Sequence, residues 1–429
     1  FKQKTAYEIR LSLVGSEMCI RDSHYQAGVR AFYAETYPNW ALDGPKPWLA
    51  AQLLWSPDRK PGELLDLYFR DFWSEAAAPM REFVAICERT WRNQPGPPLW
   101  LRYYQDEDQS YVYSADALRA LRTQIEAAAQ AATSEIVRQR VAFVSAGFGV
   151  TEAYAAFCAA RQRVGRMTRS PGAGPEELMA AWKSYRQAMA DFTRRHGEVR
   201  REHPLALGGQ DLQVYLRNEP DGRVVRELCR TEAGRNVLRK SEYLSEVYLG
   251  ATEAELSDLL RRGVETLPDS NWNLMTIRPV GSSTALDWTE GGLWSGTGEP
   301  WEGRSVQLES RASGERVLRI SSARTENLGQ WVPATPGALY LVQVDVRAKS
   351  SPGTSTALLV NFLDHNQRHT GLGRIDRLPA DTAEQATTLC VIVRAPSNAR
   401  FVGVGIRVWN QINDDFAEFS NASLRRLER

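Results

Sequence analysis

Glu35 is the residue whose surroundings most invite chemistry. It lies in residues 28–40, GVRAFYAETYPNW, with Tyr33, Tyr37 and Trp40 close by in sequence and Asp43 eight residues further on. A carboxylate accepts hydrogen bonds from hydroxyl groups, and an aromatic ring offers a flat apolar face on which a pyranose stacks. The cluster therefore has the composition of a sugar contact. Cleaving a glycosidic bond needs two carboxylates about 5–10 Å apart. Asp43 is the nearest partner, and eight residues of intervening chain leave its distance open. The alternative is a glutamate that satisfies backbone groups in a tight turn, with the aromatics packed as core.

A second set of candidates stands near the C-terminus. Residues 402–408 alternate Val, Gly, Val, Gly, Ile, Arg, Val, which puts Arg407 and Trp409 on the face opposite Ile406 and Val408. Trp331 is a further aromatic in a strand-like run. Trp331 and Trp409 are each either a sugar-stacking platform or a plug that packs the domain against its neighbour. Asp364, His365 and His369 resemble a metal cluster only superficially, because a zinc site needs three or four ligands; a solvated turn is expected. His196 and His203 are isolated and read as surface groups. The five cysteines include no CxxC pair, so neither a disulfide framework nor a zinc site is indicated, and Cys87 and Cys158 read as core thiols. The glycine-containing runs GTGEPWEG and VGVGIR lack the lysine of a phosphate loop and the strand-to-helix setting of a dinucleotide site.

The elements that must position these residues follow from the periodicities. Residues 28–34 form a short apolar run, expected to be a strand buried on both sides. Pro38, Asp43, Gly44 and Pro45 break it, and Pro47 opens an apolar helix over 48–55 expected to press against a sheet. Together they make one β/α unit. A helix from Pro61 carries Leu64, Leu65, Tyr68, Phe69, Phe72 and Trp73; another from Pro79 carries Met80, Phe83, Cys87 and Trp91. Residues 94–98, QPGPP, read as a linker. From Ser114 to about Gly263 the pattern is helical, with Gly147 and Gly149 expected to kink the longest helix and Thr252 with Glu255 forming a capping box. Near Asp269 the period changes from 3.6 to 2. Val342, Val344 and Val346 then alternate with polar residues, and runs at 317–321, 358–363 and 389–394 complete an antiparallel β-sandwich of about 160 residues.

Composition narrows the classes. Lys and Arg total 53 against 52 Asp and Glu, a net charge of +1, which lacks the footprint of a nucleic-acid binder. No stretch approaches the roughly 18 consecutive apolar residues of a membrane span. Of 13 Trp, six fall between Trp40 and Trp100 and six between Trp272 and Trp409, flanking a Trp-poor middle.

Two resemblances add to this reading. Residues 24–93, through GVRAFYAETYPNW, PWLAAQLLWSPD and LLDLYFRDFW, resemble an uncharacterised bacterial carbohydrate-active domain related to α-glucuronidase and hexosaminidase barrels. The resemblance implies the last β/α unit of a truncated (β/α)8 barrel, with Glu35 at the strand's C-terminal end as a substrate contact and the catalytic acid and base on earlier strands. Residues 268–429 resemble a jelly-roll, galactose-binding-like carbohydrate-binding module, through QWVP, TPG, ALYLVQVDVRAK, FLD, VRAP and the closing EFSNASL. Such modules often close on paired aspartates that hold a structural calcium; here the positions read Glu418, Phe419, Ser420 and Asn421. Residues 1–23 resemble translated sequencing-adapter read-through, which implies that the upstream part of the protein is missing. The expected organisation is multidomain: 1–23 non-native, 24–105 the end of a barrel, 106–267 α-helical and 268–429 the sandwich. The expected partner is an oligo- or polysaccharide, with no cofactor beyond that calcium. The parent is expected to be a secreted, periplasmic or cell-surface glycoside hydrolase-like protein, and this part of it is not expected to be catalytic by itself. The competing expectation is a non-catalytic glycan-binding or surface scaffold whose sandwich docks domains.

Overall fold

The computed structural model describes residues 27–29, 39–56, 58–93, 112–169, 172–207, 212, 216, 220–241, 251–266, 289–290, 299–300, 306–313, 316–351, 354–366, 368–370, 373–378, 386–412 and 414–427. The chain divides into two compact units, one of residues 1–104, 110–156 and 189–212, the other of residues 105–109, 157–188 and 213–429.

The described elements of the first unit are all helical. They are α1 (Trp40–Asp43), α2 (Pro45–Trp55), α3 (Pro61–Trp73), a 3₁₀ turn (Ser74–Ala76), α4 (Ala77–Arg92), α5 (Ala115–Ala131), and parts of α6 (Glu135–Met167) and α7 (Pro175–Glu202). Apolar side chains at helical spacing supply the core: Tyr68, Phe69 and Trp73 of α3, Met80 and Phe83 of α4, Leu121 and Ile125 of α5, and Val137, Val141, Val144 and Phe148 of α6. Glu75 closes the start of α6 by accepting from the backbone N–H of Ser134 at 2.6 Å and of Thr133 at 2.9 Å. Those backbone donors hold its carboxyl well below the usual carboxylate range.

Three expectations change here. The helix over 48–55 finds a helical partner among the described residues, because Leu49 and Leu53 pack with Leu64 of α3 while Trp55 stays 89% exposed. Gly147 does not break α6, which is assigned as one helix of 33 residues. A side chain at Gly147 would meet the Cβ of Ala41 at 2.5 Å, so the glycine admits α1 rather than a kink. His196 is buried, not a surface group: it is 5% exposed and lies edge-on to Phe192, ring centroids 5.9 Å apart. Its burial, followed by the nearby Arg200 charge, pushes the imidazole below its ordinary pKa.

The second unit adds α8 (Asp221–Cys229), α9 (Glu232–Arg239) and α10 (Glu253–Arg262) to twelve strands. Thr252 and Glu255 form the expected capping box. The change of period falls slightly before Asp269, with β1 (Val264–Glu265) following α10 directly. The remaining strands are β2 (Thr289–Glu290), β3 (Glu299–Pro300), β4 (Val306–Ser310), β5 (Arg316–Ser321), β6 (Ala323–Pro333), β7 (Leu339–Lys349), β8 (Ser355–Leu363), β9 (Arg374–Leu378), β10 (Thr387–Arg394), β11 (Phe401–Trp409) and β12 (Phe416–Arg426).

They form two antiparallel sheets. Sheet A has the order β2-β6-β11-β8-β9, with β3 also on β6; sheet B has the order β10-β7-β12-β5-β4, with β1 also on β12. Strand alternation turns one set of side chains inward. Leu328, Leu358, Val360, Val402, Val404, Ile406 and Val408 of sheet A join Leu318, Ile320, Val342, Val344, Val346, Leu389, Val391, Phe419 and Leu424 of sheet B in one buried core. The chain is thus a helical region joined to an antiparallel β-sandwich.

Candidate functional site

The outward face of sheet A is built by the residues between those core positions. Register aligns it in rows across the strands. One row is Thr325 on β6, Trp409 on β11 and Ser355 on β8. The next is Asn327, Arg407 and Ala357, continued by Arg377 on β9. Then come Gly329, Gly405, Leu359 and Ile375, and after them Trp331, Gly403 and Asn361. Three glycines in two adjacent strands, Gly329, Gly403 and Gly405, leave the middle of this face without side chains. Trp331 stands at one end of that strip and Trp409 at the other. Trp331 packs on the buried group of Ala357, Leu359 and Ile375.

The polar groups of this face distinguish it from an ordinary sheet surface. Asn327 is 3% exposed, and neither its amide nitrogen nor its oxygen has a hydrogen-bond partner; the amide nitrogen of Asn361, 2% exposed, has none either. The indole N–H of Trp409 is also buried without a partner. A buried polar group left unpaired costs about 1–3 kcal/mol, so such groups gathered on one face mark a place where a ligand's donors and acceptors complete the set. The Trp409 ring carries the Arg407 guanidinium 3.4 Å from its centroid and that of Arg377 at 5.2 Å. Arg407 occupies one side of the indole, so the unobstructed stacking role falls more naturally to Trp331.

Sheet B presents a different outward face. Glu418, 7% exposed, is held by Arg319 at 2.5 Å, Arg311 at 3.0 Å and Arg347 at 3.6 Å. Phe419 is in the core, and the Asn421 amide donates to Asp345 at 2.9 Å. A carboxylate already surrounded by three guanidiniums is a poor cation ligand, so these closing positions do not fit a structural calcium. No group of three or more metal-capable side chains is found among the described residues. Asp364 accepts from the backbone N–H of Asn366 and Arg368 at 2.8 and 3.0 Å, with His365 and His369 exposed, which is the expected polar turn.

Of the first set of candidates, Tyr33, Glu35 and Tyr37 lie outside the described residues, as does most of the strand expected over 28–34. Trp40 begins α1, 38% exposed, its backbone N–H bonded to Leu205 O at 3.1 Å. Asp43 accepts from Lys46 at 2.6 Å and from the Asn39 amide at 3.3 Å, a local arrangement at the end of α1. The second set does come together, since Trp331, Arg407 and Trp409 share one face of one sheet. Asn327, Asn361 and Arg377 were missed. Asn361 had a signal, as the one amide inside the apolar run LLVNFL.

A buried clamp secures one side of this sandwich. Asp376, inward on β9 and wholly buried, pairs with Arg223 of α8 at 2.9 Å and accepts from the backbone N–H of Cys390 on β10 at 2.8 Å. Burial pushes its carboxyl up to about 6 against the opposing pull of Arg223. A side chain at Gly222 would meet Cys390 O at 2.5 Å, so α8 seats its backbone directly on β10. Asp221, also buried, accepts from the Trp182 indole and faces Arg186 at 3.4 Å.

Comparison with known proteins adds the following. No family model matches the chain, and no curated protein matches it. Among solved structures it is similar to a tailspike protein 4 enzymatically active domain of bacteriophage CBA120, at 17% identity and TM-score 0.24, over 30% of this chain and 18% of that one. It is also similar to a family 16 carbohydrate-binding module, at 20% identity and TM-score 0.24, over 30% of this chain and 89% of that one. A third is the C-terminal family 22 carbohydrate-binding module of Clostridium thermocellum Xyn10B, at 18% identity and TM-score 0.23, over 34% of this chain and 89% of that one.

Proposed function

We propose that this chain binds glycan on the outward face of sheet A, as the binding part of a longer carbohydrate-active protein. The observation that carries the reading is the Asn327 side chain, buried at 3% exposure with both amide atoms unpaired beside a side-chain-free strip between two tryptophans. An amide that donates and accepts, next to a flat ring, is what a pyranose with its hydroxyl rim and apolar faces requires. The resemblance of residues 24–93 to carbohydrate-active barrels supports a glycoside hydrolase-like parent, working where polysaccharide is met, at the cell surface, in the periplasm or outside the cell. In that reading the acid and base belong to earlier strands and Glu35 contacts substrate. The docking alternative has its own support, because helices do pack on the sandwich, but α8 and α10 lie against β10 and β7 of sheet B rather than on the outward face of sheet A.

Affinity electrophoresis of the full chain through gels containing soluble polysaccharides tests this. Retardation by at least one polysaccharide is expected, reduced about tenfold or more by Trp331→Ala or Asn327→Ala and unchanged by Trp55→Ala on α2. No retardation, or an equal effect of Trp55→Ala, overturns the reading.

A further inference from the structure

We infer that the glycan taken by sheet A is anionic, its carboxylate or sulfate groups received by Arg407 and Arg377; this rests on the glycan-binding reading above. The two arginines lie in one row of the sheet, on β11 and β9, separated only by Ala357 of β8. Both guanidiniums are set against the same indole, Trp409, at 3.4 and 5.2 Å from its centroid. Stacking on a ring fixes the plane of a guanidinium and leaves its edge, with its fork of N–H groups, to face an oxyanion. Each guanidinium has five N–H donors, so existing hydrogen bonds do not exhaust it. Asn327 adjoins Arg407 in the same row and supplies a neutral donor and acceptor for a neighbouring hydroxyl.

The two faces of the sandwich treat their arginines differently. On sheet B, Arg311, Arg319 and Arg347 converge on Glu418, so the protein supplies its own counter-charge. The described side chains on the outward face of sheet A include no carboxylate; by register the nearest acid is Glu299, opposite Thr325 in the adjoining row. Like charges held in one row repel, and an acidic ligand relieves that repulsion while engaging the planar fork bidentately. Neutral glycan gains neither term.

The test uses the full chain and immobilised polysaccharides in matched pairs that differ only in charge: polygalacturonate and its methyl ester, hyaluronan and its carboxyl-reduced form, dextran sulfate and dextran. Affinity for at least one charged member is expected to exceed that for its neutral counterpart by about tenfold or more and to fall with added salt. Arg407→Gln and Arg377→Gln should each remove most of that difference. Arg407→Lys, which keeps the charge but loses the fork, should restore only part, and Arg347→Gln on sheet B should change nothing. Unchanged urea midpoints for these variants show that each remains folded. A preference among the pairs separates carboxylate from sulfate. Equal binding to charged and neutral members, or loss equally caused by Arg347→Gln, overturns the anionic inference and leaves the glycan reading standing. Binding to no member overturns both.

Discussion

Replacing Asp376 by Ala should release α8 from the sandwich, and Cys390 offers a direct way to see it. Asp376 neutralises Arg223 at 2.9 Å and accepts from the Cys390 N–H at 2.8 Å, all three groups buried. Removing one partner of a buried ion pair costs about 3–5 kcal/mol, because the other charge is left without compensation. Cys390 is fully buried on β10, where the backbone of Gly222 covers it, and burial pushes its thiol up to about 12. A thiol reagent therefore reaches it only when α8 lifts, at a rate set by the opening equilibrium. At about 1.4 kcal/mol per tenfold, the loss predicts labelling of Cys390 accelerated roughly a hundred- to several-thousand-fold, read by peptide mass spectrometry beside Cys87 as an internal reference. The paired change Arg223→Met with Asp376→Leu removes both charges and should bring the rate back to near that of the native chain. Acceleration below about tenfold in Asp376→Ala, or a paired variant as labile as the single one, would refute the clamp.

Three other outcomes follow from the packing and the titrations. Gly147→Val drives a branched side chain into Ala41 and should lower stability of the first unit by about 1–3 kcal/mol, seen as a lower urea midpoint with little loss of helix content by circular dichroism. His196 is held below its ordinary pKa by burial, so the native state favours the neutral ring; stability is present above about pH 6.5 and drains as pH falls below it, and His196→Gln should flatten that acid-side loss. Asp376 has the opposite sign: its carboxyl is pushed up to about 6, above the unfolded value, so the native state takes up a proton first. Acidification from pH 7 towards 4 should thus favour the native chain relative to Asp376→Asn, and equal pH profiles for the two would count against it.

The strands were legible because their alternation is undisturbed: Val342, Val344 and Val346, and Val402 to Val408, sit in the core in the order that a period of two demands. The same alternation placed Arg407 and Trp409 together on the other face. The capping box of Thr252 and Glu255 was legible because both halves are local. What escaped depends on contacts distant in sequence. Nothing near Gly222 or Arg223 announces a partner on β9 or β10, and Gly147 looked like a helix breaker because Ala41, the side chain it admits, lies over a hundred residues away. His196 was hidden by its neighbours, Arg194, Arg195, Arg200 and Arg201, which suggest an exposed face. Its position four residues after Phe192 and seven after Met189, along the apolar stripe of α7, carried the better signal. Asn327 was hidden for a different reason: Glu326, on the opposite face, is buried too, so the local pattern has no apolar rhythm to interrupt.

The central claim is that sheet A's outward face is where glycan binds, and hydroxyl-radical footprinting of the full chain, with and without saturating amounts of a polysaccharide that retains it, reads that face directly. The account predicts protection of Trp331 on β6 and Trp409 on β11, with Phe416 on sheet B and Trp55 on α2 oxidised as before. Protection confined to Trp55 or Phe416, or bound glycan that leaves Trp331 and Trp409 equally oxidised, would contradict it.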